Sequence, residues 1–216
     1  MAYPKDIIVD FQTPYNAPKG VDNSDQYPES LVRYFLKHYT KTKDRIFDPF
    51  LGFGTTAFVA EDMRRKPYGI EADRSRFEWA AGQLTHWNNI MHGDSGKASS
   101  YNHFPKMDFC ITSPPYMPRN HKWNPLYNGD PKYAGYDAYL KRMGVVFQHV
   151  KNIMKRNALV IVQADNLEGR QFTPLVRDLS NVIGKHLRPE GEIIVRWKNS
   201  RPDYPYTHAL IFKNIL

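Results

Sequence analysis

The chain of 216 residues is long enough for one domain with a full core, and its 41% hydrophobic and 14% aromatic content indicates a globular fold. A formal net charge of +8 indicates a polyanionic partner. The single cysteine excludes an internal disulfide, the histidines show no metal-ligand spacing, and no apolar run has the length of a membrane span or a signal peptide. We therefore expect a soluble, cytoplasmic protein without a metal site.

The N-terminal residues 1–30 are rich in proline, asparagine, aspartate and tyrosine. This composition predicts an extended arm with turns rather than a packed unit. A single domain is then expected to span residues 31–216. Its first helix is predicted over residues 31–39, with Ser30 or Glu29 as its cap.

A glycine-containing turn follows the first predicted strand, in the run Asp48-Pro49-Phe50-Leu51-Gly52-Phe53-Gly54-Thr55-Thr56. Glycines at 52 and 54 let the backbone approach a ligand without a Cβ in the way. An apolar helix is predicted from about residue 55 to 65, and its first N–H groups would face that ligand. The run lacks both the Gly-Lys-Ser/Thr of a phosphate-binding P-loop and the Gly-x-Gly-x-x-Gly spacing of dinucleotide folds.

The next two predicted strands each end in an acid. The strand over residues 67–71 ends at Glu71, where a carboxylate can accept hydrogen bonds from both hydroxyls of a ribose. The alternative is an ordinary strand-end carboxylate. A helix is predicted over residues 74–87, and the third strand, residues 89–95, has Asp94 at its end. The alternative for Asp94 is a turn or a helix start.

The fourth predicted strand, residues 107–111, runs into Thr112-Ser113-Pro114-Pro115-Tyr116. The two prolines end the strand and form a stiff shelf at its carboxyl end, where open α/β sheets bind their ligands. The Ser113 hydroxyl and the Pro114 carbonyl can accept both hydrogens of an exocyclic base amine, which frees its lone pair. Tyr116 offers a ring for an unstacked base. The alternative is a double-proline turn that only ends a strand.

A polar, aromatic loop over residues 117–137 follows the shelf. Its cations and aromatic rings are the residue types that contact phosphates and bases, and they alternate along the loop. The alternative is a solvated loop whose rings fold back onto the domain. The residues concerned are Arg119, His121, Lys122, Trp123, Tyr127, Lys132, Tyr133 and Tyr136.

The remainder of the chain predicts two helices and three strands. The predicted helices span residues 139–155 and 172–187, and the strands span 158–163, 192–197 and 208–212. The run at 188–191 is expected to close the second helix, and Arg201 lies in a second contact loop, residues 199–206. The alternation of strands and helices predicts an α/β fold with a Rossmann-like, seven-stranded, mostly parallel sheet whose last strand is antiparallel.

The run from Asp48 to Thr56 and the Ser113–Tyr116 motif together resemble the S-adenosylmethionine-dependent amino-group DNA methyltransferase family. Phe53 departs from the small residue usual in that family. The resemblance implies the class I methyltransferase fold and S-adenosylmethionine as cofactor. It implies a catalytic set of Ser113, Pro114, Pro115 and Tyr116. The cofactor-binding set that it implies is Tyr27, Pro28, Asp48, Pro49, Phe50, Gly52, Gly54, Thr55, Thr56, Glu71, Asp94 and Thr112.

The serine form of the shelf is commoner in this family among enzymes that act on N4 of cytosine, so the resemblance implies that reaction on DNA. N6 of adenine, an amine of ribosomal or transfer RNA, a glutamine side chain and a non-catalytic nucleic-acid-binding role stay open as alternatives. The chain has no insertion large enough for a recognition domain, which implies modest sequence discrimination, a second subunit such as a homodimer partner, or a structured RNA target. The predicted nucleic-acid contacts are Arg119, Lys122, Trp123, Tyr127, Tyr133 and Arg201.

Overall fold

The computed structural model describes residues 3–11, 26–199 and 205–215. Five α-helices lie in these ranges: α1 Glu29–Tyr39, α2 Thr55–Asp62, α3 Arg74–Gln83, α4 Tyr136–Ile153 and α5 Leu175–Ile183. Eight strands alternate with them: β1 Asp6–Val9, β2 Arg45–Asp48, β3 Lys66–Glu71, β4 Ile90–His92, β5 Met107–Thr112, β6 Met154–Ala164, β7 Arg188–Trp197 and β8 Tyr206–Lys213.

The strands form one sheet in the order β1-β7-β8-β6-β5-β2-β3-β4. Only β8 runs antiparallel to its neighbours in this sheet, which are β6 and β7. The other five pairings are parallel. The carboxyl ends of β2, β3, β4, β5 and β6 therefore meet at one edge, where an open α/β sheet binds ligands.

Helices cover both faces of the sheet because the central strands are apolar on both sides. Along β5, Cys110 packs into the cluster that contains α4 and α5, whereas Phe109 and Ile111 pack into the cluster that contains α1 and α2. A third, smaller cluster joins α2 to α3. None of the helices in these described ranges is both long and apolar enough to cross a membrane.

The predicted fold class is confirmed, and the strand count is wrong by one. Asp6–Val9, which was assigned to an extended arm, pairs in parallel with β7 and adds an eighth strand at the edge of the sheet. The side chain of Ile7 is buried in the cluster of α1, which holds this strand against the sheet. The composition of the segment favoured an arm because only four residues carry this pattern.

Several predicted boundaries also shift. Helix α3 ends at Gln83, and Trp87–Asn89 forms a separate 3₁₀ turn. Strand β7 already begins at Arg188, so the run at 188–191, predicted to close the preceding helix, is part of the sheet. The register of β7 against β8 shifts between Pro189 and Gly191, and this irregularity accommodates a proline and a glycine within the strand. The predicted contact residue Arg201 lies outside the described ranges.

Candidate active site at the carboxyl edge of the sheet

The two predicted ligand loops leave neighbouring strands. Strands β2 and β5 pair in parallel, with Ile46 opposite Phe109 and Phe47 opposite Cys110. The glycine loop begins after β2, and the Ser-Pro-Pro-Tyr shelf begins after β5. Because both strands run the same way, the two loops emerge side by side at one edge of the sheet.

One buried carboxylate, that of Asp48, connects these loops. Its Oδ1 atom accepts hydrogen bonds from the Thr112 hydroxyl at 2.6 Å and from the Phe50 N–H at 2.9 Å. Its Oδ2 atom accepts one from the Thr56 hydroxyl at 2.6 Å. The Tyr27 hydroxyl contacts Thr56 and lies 3.4 Å from Oδ2. Asp48 thus holds the glycine loop, the first turn of α2 and the base of the shelf in one network.

The Asp48 network makes a pH-dependent contribution to stability. Burial raises the pKa of Asp48 from its usual 3.8 to about 6, although hydrogen bonds from Thr112 and Thr56 lower it. The folded state therefore holds this proton more tightly than the unfolded state. The contribution of Asp48 to stability must then fall as the pH rises from about 4 to about 6, by roughly 3 kcal/mol for a two-unit pKa difference.

We expect Asp48→Asn to remove this loss, because the amide has the same shape and does not ionise. The measurement is the free energy of unfolding in urea at several pH values between 3.5 and 7.5. The stability of the wild-type protein relative to Asp48→Asn should decline over this interval. Parallel pH profiles for the two proteins would contradict the assignment of a raised pKa to Asp48.

The glycine loop is open towards solvent on one side and tightly packed on the other. Gly52 has a φ of +57°, and a Cβ built there would meet no atom within 4 Å. Gly54 has a φ of +94°, and its Cβ would come within 3.0 Å of Phe58 and 3.2 Å of Ala80. The loop therefore presents bare backbone to open space at Gly52 and seats α2 against α3 at Gly54. The unusual Phe53 is buried, with the Arg76 guanidinium 5.0 Å from its ring centroid.

Glu71 lies at the end of β3, directly beside this loop. Its carboxylate accepts hydrogen bonds from the Gly52 N–H at 2.7 Å and from the Asp73 N–H at 2.8 Å. Burial raises the pKa of Glu71, and these two backbone donors oppose that rise. Each carboxylate oxygen keeps a further lone pair, so Glu71 can still accept two hydroxyl donors.

Contacts with helices α4 and α5 hold the shelf after β5 in place. Thr112 and Pro114 are buried, whereas Ser113, Pro115 and Tyr116 are partly exposed. The hydroxyl of the fully buried Tyr139, in α4, donates a hydrogen bond to the Pro115 carbonyl at 3.0 Å. The ring of Tyr116 packs against the cluster of α4 and α5. The hydrogen bond and the ring packing keep the shelf rigid beneath the partly exposed Ser113.

Asp94 lies just beyond β4, on the far side of Glu71 from the shelf strand, and it is already engaged. Its Oδ1 atom accepts a hydrogen bond from the Gly96 N–H at 2.8 Å, and its Oδ2 atom pairs with the Arg142 guanidinium of α4. One third of the Asp94 side chain stays exposed. The predicted contact of Asp94 with a ligand therefore has to share the carboxylate with Arg142.

The loop over residues 117–137 folds onto the domain and contains two 3₁₀ turns, Pro125–Tyr127 and Pro131–Tyr133. The buried Asn124 holds it together, since its side chain donates to the Tyr133 carbonyl and accepts from the Leu126 N–H. Arg119, a predicted phosphate contact, donates a hydrogen bond to the buried Asp178 of α5 at 3.1 Å. Lys122 and Trp123 are exposed, and half of the Trp123 side chain faces solvent.

Tyr127 and Tyr133 stack on each other, with ring centroids 4.2 Å apart and an interplanar angle of 12°. The Arg142 guanidinium lies 4.8 Å from the centroid of Tyr127, so that ring is covered on both faces. A base can stack on Tyr127 only after one of these neighbours moves. The contacts predicted for the loop and for Tyr27 and Pro28 stay predictions.

Sequence reasoning missed Arg142 and Tyr139, which brace the site from α4. Arg142 had a detectable signal, because it lies at helical spacing from the buried residues Val146 and Val150 and so occurs on the inner face of the predicted helix. A cation on such a face requires a partner. Tyr139 gave no such signal, since a buried tyrosine on an apolar face is ordinary.

The comparisons with known proteins match part of the chain at the level of sequence. A family model described as DNA methylase matches residues 8–82. The type II methyltransferase M.BglII of Bacillus subtilis is 29% identical over 104 residues, which is 48% of this chain and 26% of that protein. The type II methyltransferase M2.DpnII of Streptococcus pneumoniae is 39% identical over 59 residues, covering 27% of this chain and 22% of that protein. The chain thus spans about a quarter of these relatives.

Solved structures support the fold. The TrmN structure from Thermus thermophilus has a TM-score of 0.61 at 14% identity, over 86% of this chain and 48% of that one. A fibrillarin from Aeropyrum pernix, solved with natively bound S-adenosyl-L-methionine, has a TM-score of 0.55 at 14% identity, over 85% and 72% of the two chains. At these identities the likeness concerns the fold, which is that of class I S-adenosylmethionine-dependent methyltransferases.

The family match covers the glycine loop and Glu71 but ends before the shelf. The shelf motif adds a second, independent part of the same pattern, and the sheet order places both parts on neighbouring strands. Together with the curated relatives, these observations show that the chain resembles the amino-group DNA methyltransferases, a family whose cofactor is S-adenosylmethionine.

Proposed function

We propose that the chain methylates an exocyclic amine of a nucleic-acid base, namely N4 of cytosine in DNA. The observation that carries this proposal is the hydrogen bond of 2.6 Å between Thr112 and Asp48, which joins the shelf to the glycine loop. A transferase must hold donor and acceptor within reach of each other. A hydrogen bond between the ends of the two strands from which these loops emerge helps to hold the loops at a fixed distance.

The residues of the glycine loop fit S-adenosylmethionine. Open space above Gly52 leaves room for a ligand against bare backbone. The N-terminal end of α2 supplies N–H groups, and Glu71 supplies acceptors for ribose hydroxyls. Asp94 supplies a third acceptor along the same edge, suited to an adenine amine. When bound, the cofactor supplies an activated methyl group on a sulfonium.

The shelf provides the acceptor half of the reaction. The Ser113 hydroxyl and the Pro114 carbonyl each accept a hydrogen bond from one N–H of the amine. This turns the nitrogen lone pair out of conjugation with the ring. Tyr116 stacks on the extruded base. The surplus proton leaves the nitrogen after methyl transfer, because a neutral serine hydroxyl is too weak a base to remove it earlier. Positioning and charge matching then supply most of the acceleration.

Cytosine and DNA are supported by different observations. Ser113 at the first position of the shelf favours cytosine N4, as the family resemblance implies. The matched family model is described as DNA methylase, which favours DNA. The net charge of +8 suits either nucleic acid. A homodimer, which would extend the recognition surface, stays a prediction that light scattering of the purified protein can check.

The test is incubation of the purified protein with methyl-labelled S-adenosylmethionine and separate pools of duplex DNA and RNA. Digestion and mass spectrometry of the nucleosides then locate the label. We expect N4-methyldeoxycytidine from the DNA pool. Label on N6 of deoxyadenosine would show that adenine, not cytosine, is the target base. Label only in the RNA pool would show that RNA, not DNA, is the substrate. Cofactor binding without any methyl transfer would contradict the proposal that the chain is an enzyme.

A further inference from the structure

Helix α4 directs one cation, Arg142, towards the predicted cofactor-binding residue Asp94. The Arg142 side chain is 16% exposed and pairs with Asp94, beyond the end of β4. Its guanidinium lies so close to Gly96 that a Cβ on that residue would come within 2.1 Å of it. Gly96 also donates its N–H to Asp94. Arg142 is therefore fitted against the turn that positions Asp94.

The same guanidinium begins a column of stacked groups that runs into the 117–137 loop. Arg142 covers Tyr127, Tyr127 stacks on Tyr133, and the Lys132 ammonium lies 5.4 Å from the Tyr133 centroid. About a third of Tyr133 is exposed, so the column ends at the surface. One continuous series of contacts thus connects Asp94 with the surface of the loop that follows the shelf.

Stability alone does not account for this arrangement. Arginine stays charged in proteins, and an ion pair whose carboxylate stays one-third exposed contributes little to the stability of a fold. The Arg142 Nε atom is also buried without a hydrogen-bond partner among the residues that the structure describes. A costly group that contacts both an acceptor at the cofactor pocket and an aromatic stack of the loop is suited to coupling the two.

We propose that Arg142 is a positioning residue that makes cofactor binding and nucleic-acid binding cooperative. This inference rests on the proposed function. A ligand that hydrogen-bonds Asp94 fixes that carboxylate and, through Arg142, the Tyr127–Tyr133 stack. Nucleic acid bound at Lys132 and at the exposed part of Tyr133 leaves the stack intact and fixes the same column from the other end. The ligand that binds first orders the column for the second, so each should tighten the other by the same factor.

The test measures binding rather than turnover. Fluorescence anisotropy gives the Kd of a labelled duplex of mixed sequence, with and without saturating S-adenosylhomocysteine, and calorimetry gives the reciprocal Kd of S-adenosylhomocysteine with and without the duplex. In the wild-type protein we expect each ligand to tighten the other by about fivefold or more. The two factors should agree, since a coupling free energy is reciprocal.

Two variants interrupt the column in different ways. Arg142→Met removes the charge and keeps a long side chain, whereas Gly96→Ala leaves every charge in place and displaces the guanidinium with a methyl group. We expect the coupling factor to fall below about twofold in both variants. Arg142→Lys should retain the pair with Asp94 and lose most of the coupling, because an ammonium lacks the planar face that covers Tyr127.

Arg74→Met is the matched control, since Arg74 is a largely exposed arginine paired with Glu78 on α3, and its loss changes the net charge equally. It should keep the wild-type coupling factor. The role of Arg142 would be contradicted by a wild-type coupling factor in folded Arg142→Met or Gly96→Ala. It would also be contradicted by a wild-type protein that binds both ligands without coupling. Either result would leave the proposed function standing. A wild-type protein that does not bind S-adenosylhomocysteine would instead remove the proposed function and this inference together.

Discussion

Ser113→Ala should lower the rate of methyl transfer by about a hundredfold or more while cofactor affinity stays within twofold of wild type. The magnitude follows from the loss of one preorganised hydrogen-bonding group at the reacting atom. Ser113 is partly exposed at the tip of the shelf, and the fold does not depend on it as it depends on the buried Thr112 beside it. The expected loss is therefore catalytic and not structural.

The measurement is single-turnover transfer of a tritiated methyl group to the nucleic-acid pool that the wild-type protein accepts. Calorimetry with S-adenosylhomocysteine reports the cofactor half of the site separately. Ser99→Ala, at an exposed position in the 3₁₀ turn Ala98–Tyr101, is the matched control and should transfer at the wild-type rate. Undiminished transfer by Ser113→Ala would remove the shelf from the mechanism.

Gly54→Ala should destabilise the fold by about 2 kcal/mol and weaken cofactor binding strongly. Two costs add here. A residue with a Cβ at a φ of +94° is strained by roughly 1–2 kcal/mol, and the new methyl group would press on Phe58 and on Ala80. The Phe58 ring can turn away from the new methyl group, but the contact with Ala80 on α3 is relieved only by a small shift of α2. Such a movement displaces Thr56 and so disturbs the network around Asp48.

The matched control is Gly82→Ala, the same substitution inside α3, where a Cβ would meet no atom within 4 Å. It should stabilise the protein by up to about 1 kcal/mol, since alanine is the better helix former. Urea unfolding of the three proteins and calorimetry with S-adenosylhomocysteine supply both readouts. Equal effects of the two substitutions on stability would show that the glycine loop tolerates a side chain at Gly54.

The geometry around the glycine loop was predictable from the sequence because local rules determine it. The positive φ values of Gly52 and Gly54, the first turn of α2 and the acid at the end of β3 all follow from residues close together in the chain. The adjacency of the two loops was also predictable, since alternating strands and helices fix a parallel sheet in which strand ends share one edge.

Contacts between distant segments were not predictable in this way. Arg142 and Asp94 lie 48 positions apart, and Asp48 and Thr112 lie 64 apart. Asp48 stays a predicted cofactor-binding residue, and its carboxylate also contacts four donor groups of the chain, which braces the two loops. The pairing of β1 with β7 joins residues nearly 190 positions apart, and no local pattern specifies it.

The reversed direction of β8 has a practical consequence for work with this protein. Tyr206 lies at the edge of the sheet that holds the candidate site, and Lys213 lies towards the opposite edge, beside Leu159 of β6 and the start of β7. Polypeptide that continues beyond β8 thus departs from the rear of the molecule. An affinity tag, a biosensor surface or a fused DNA-targeting module attached there should leave the entrance for substrate unobstructed.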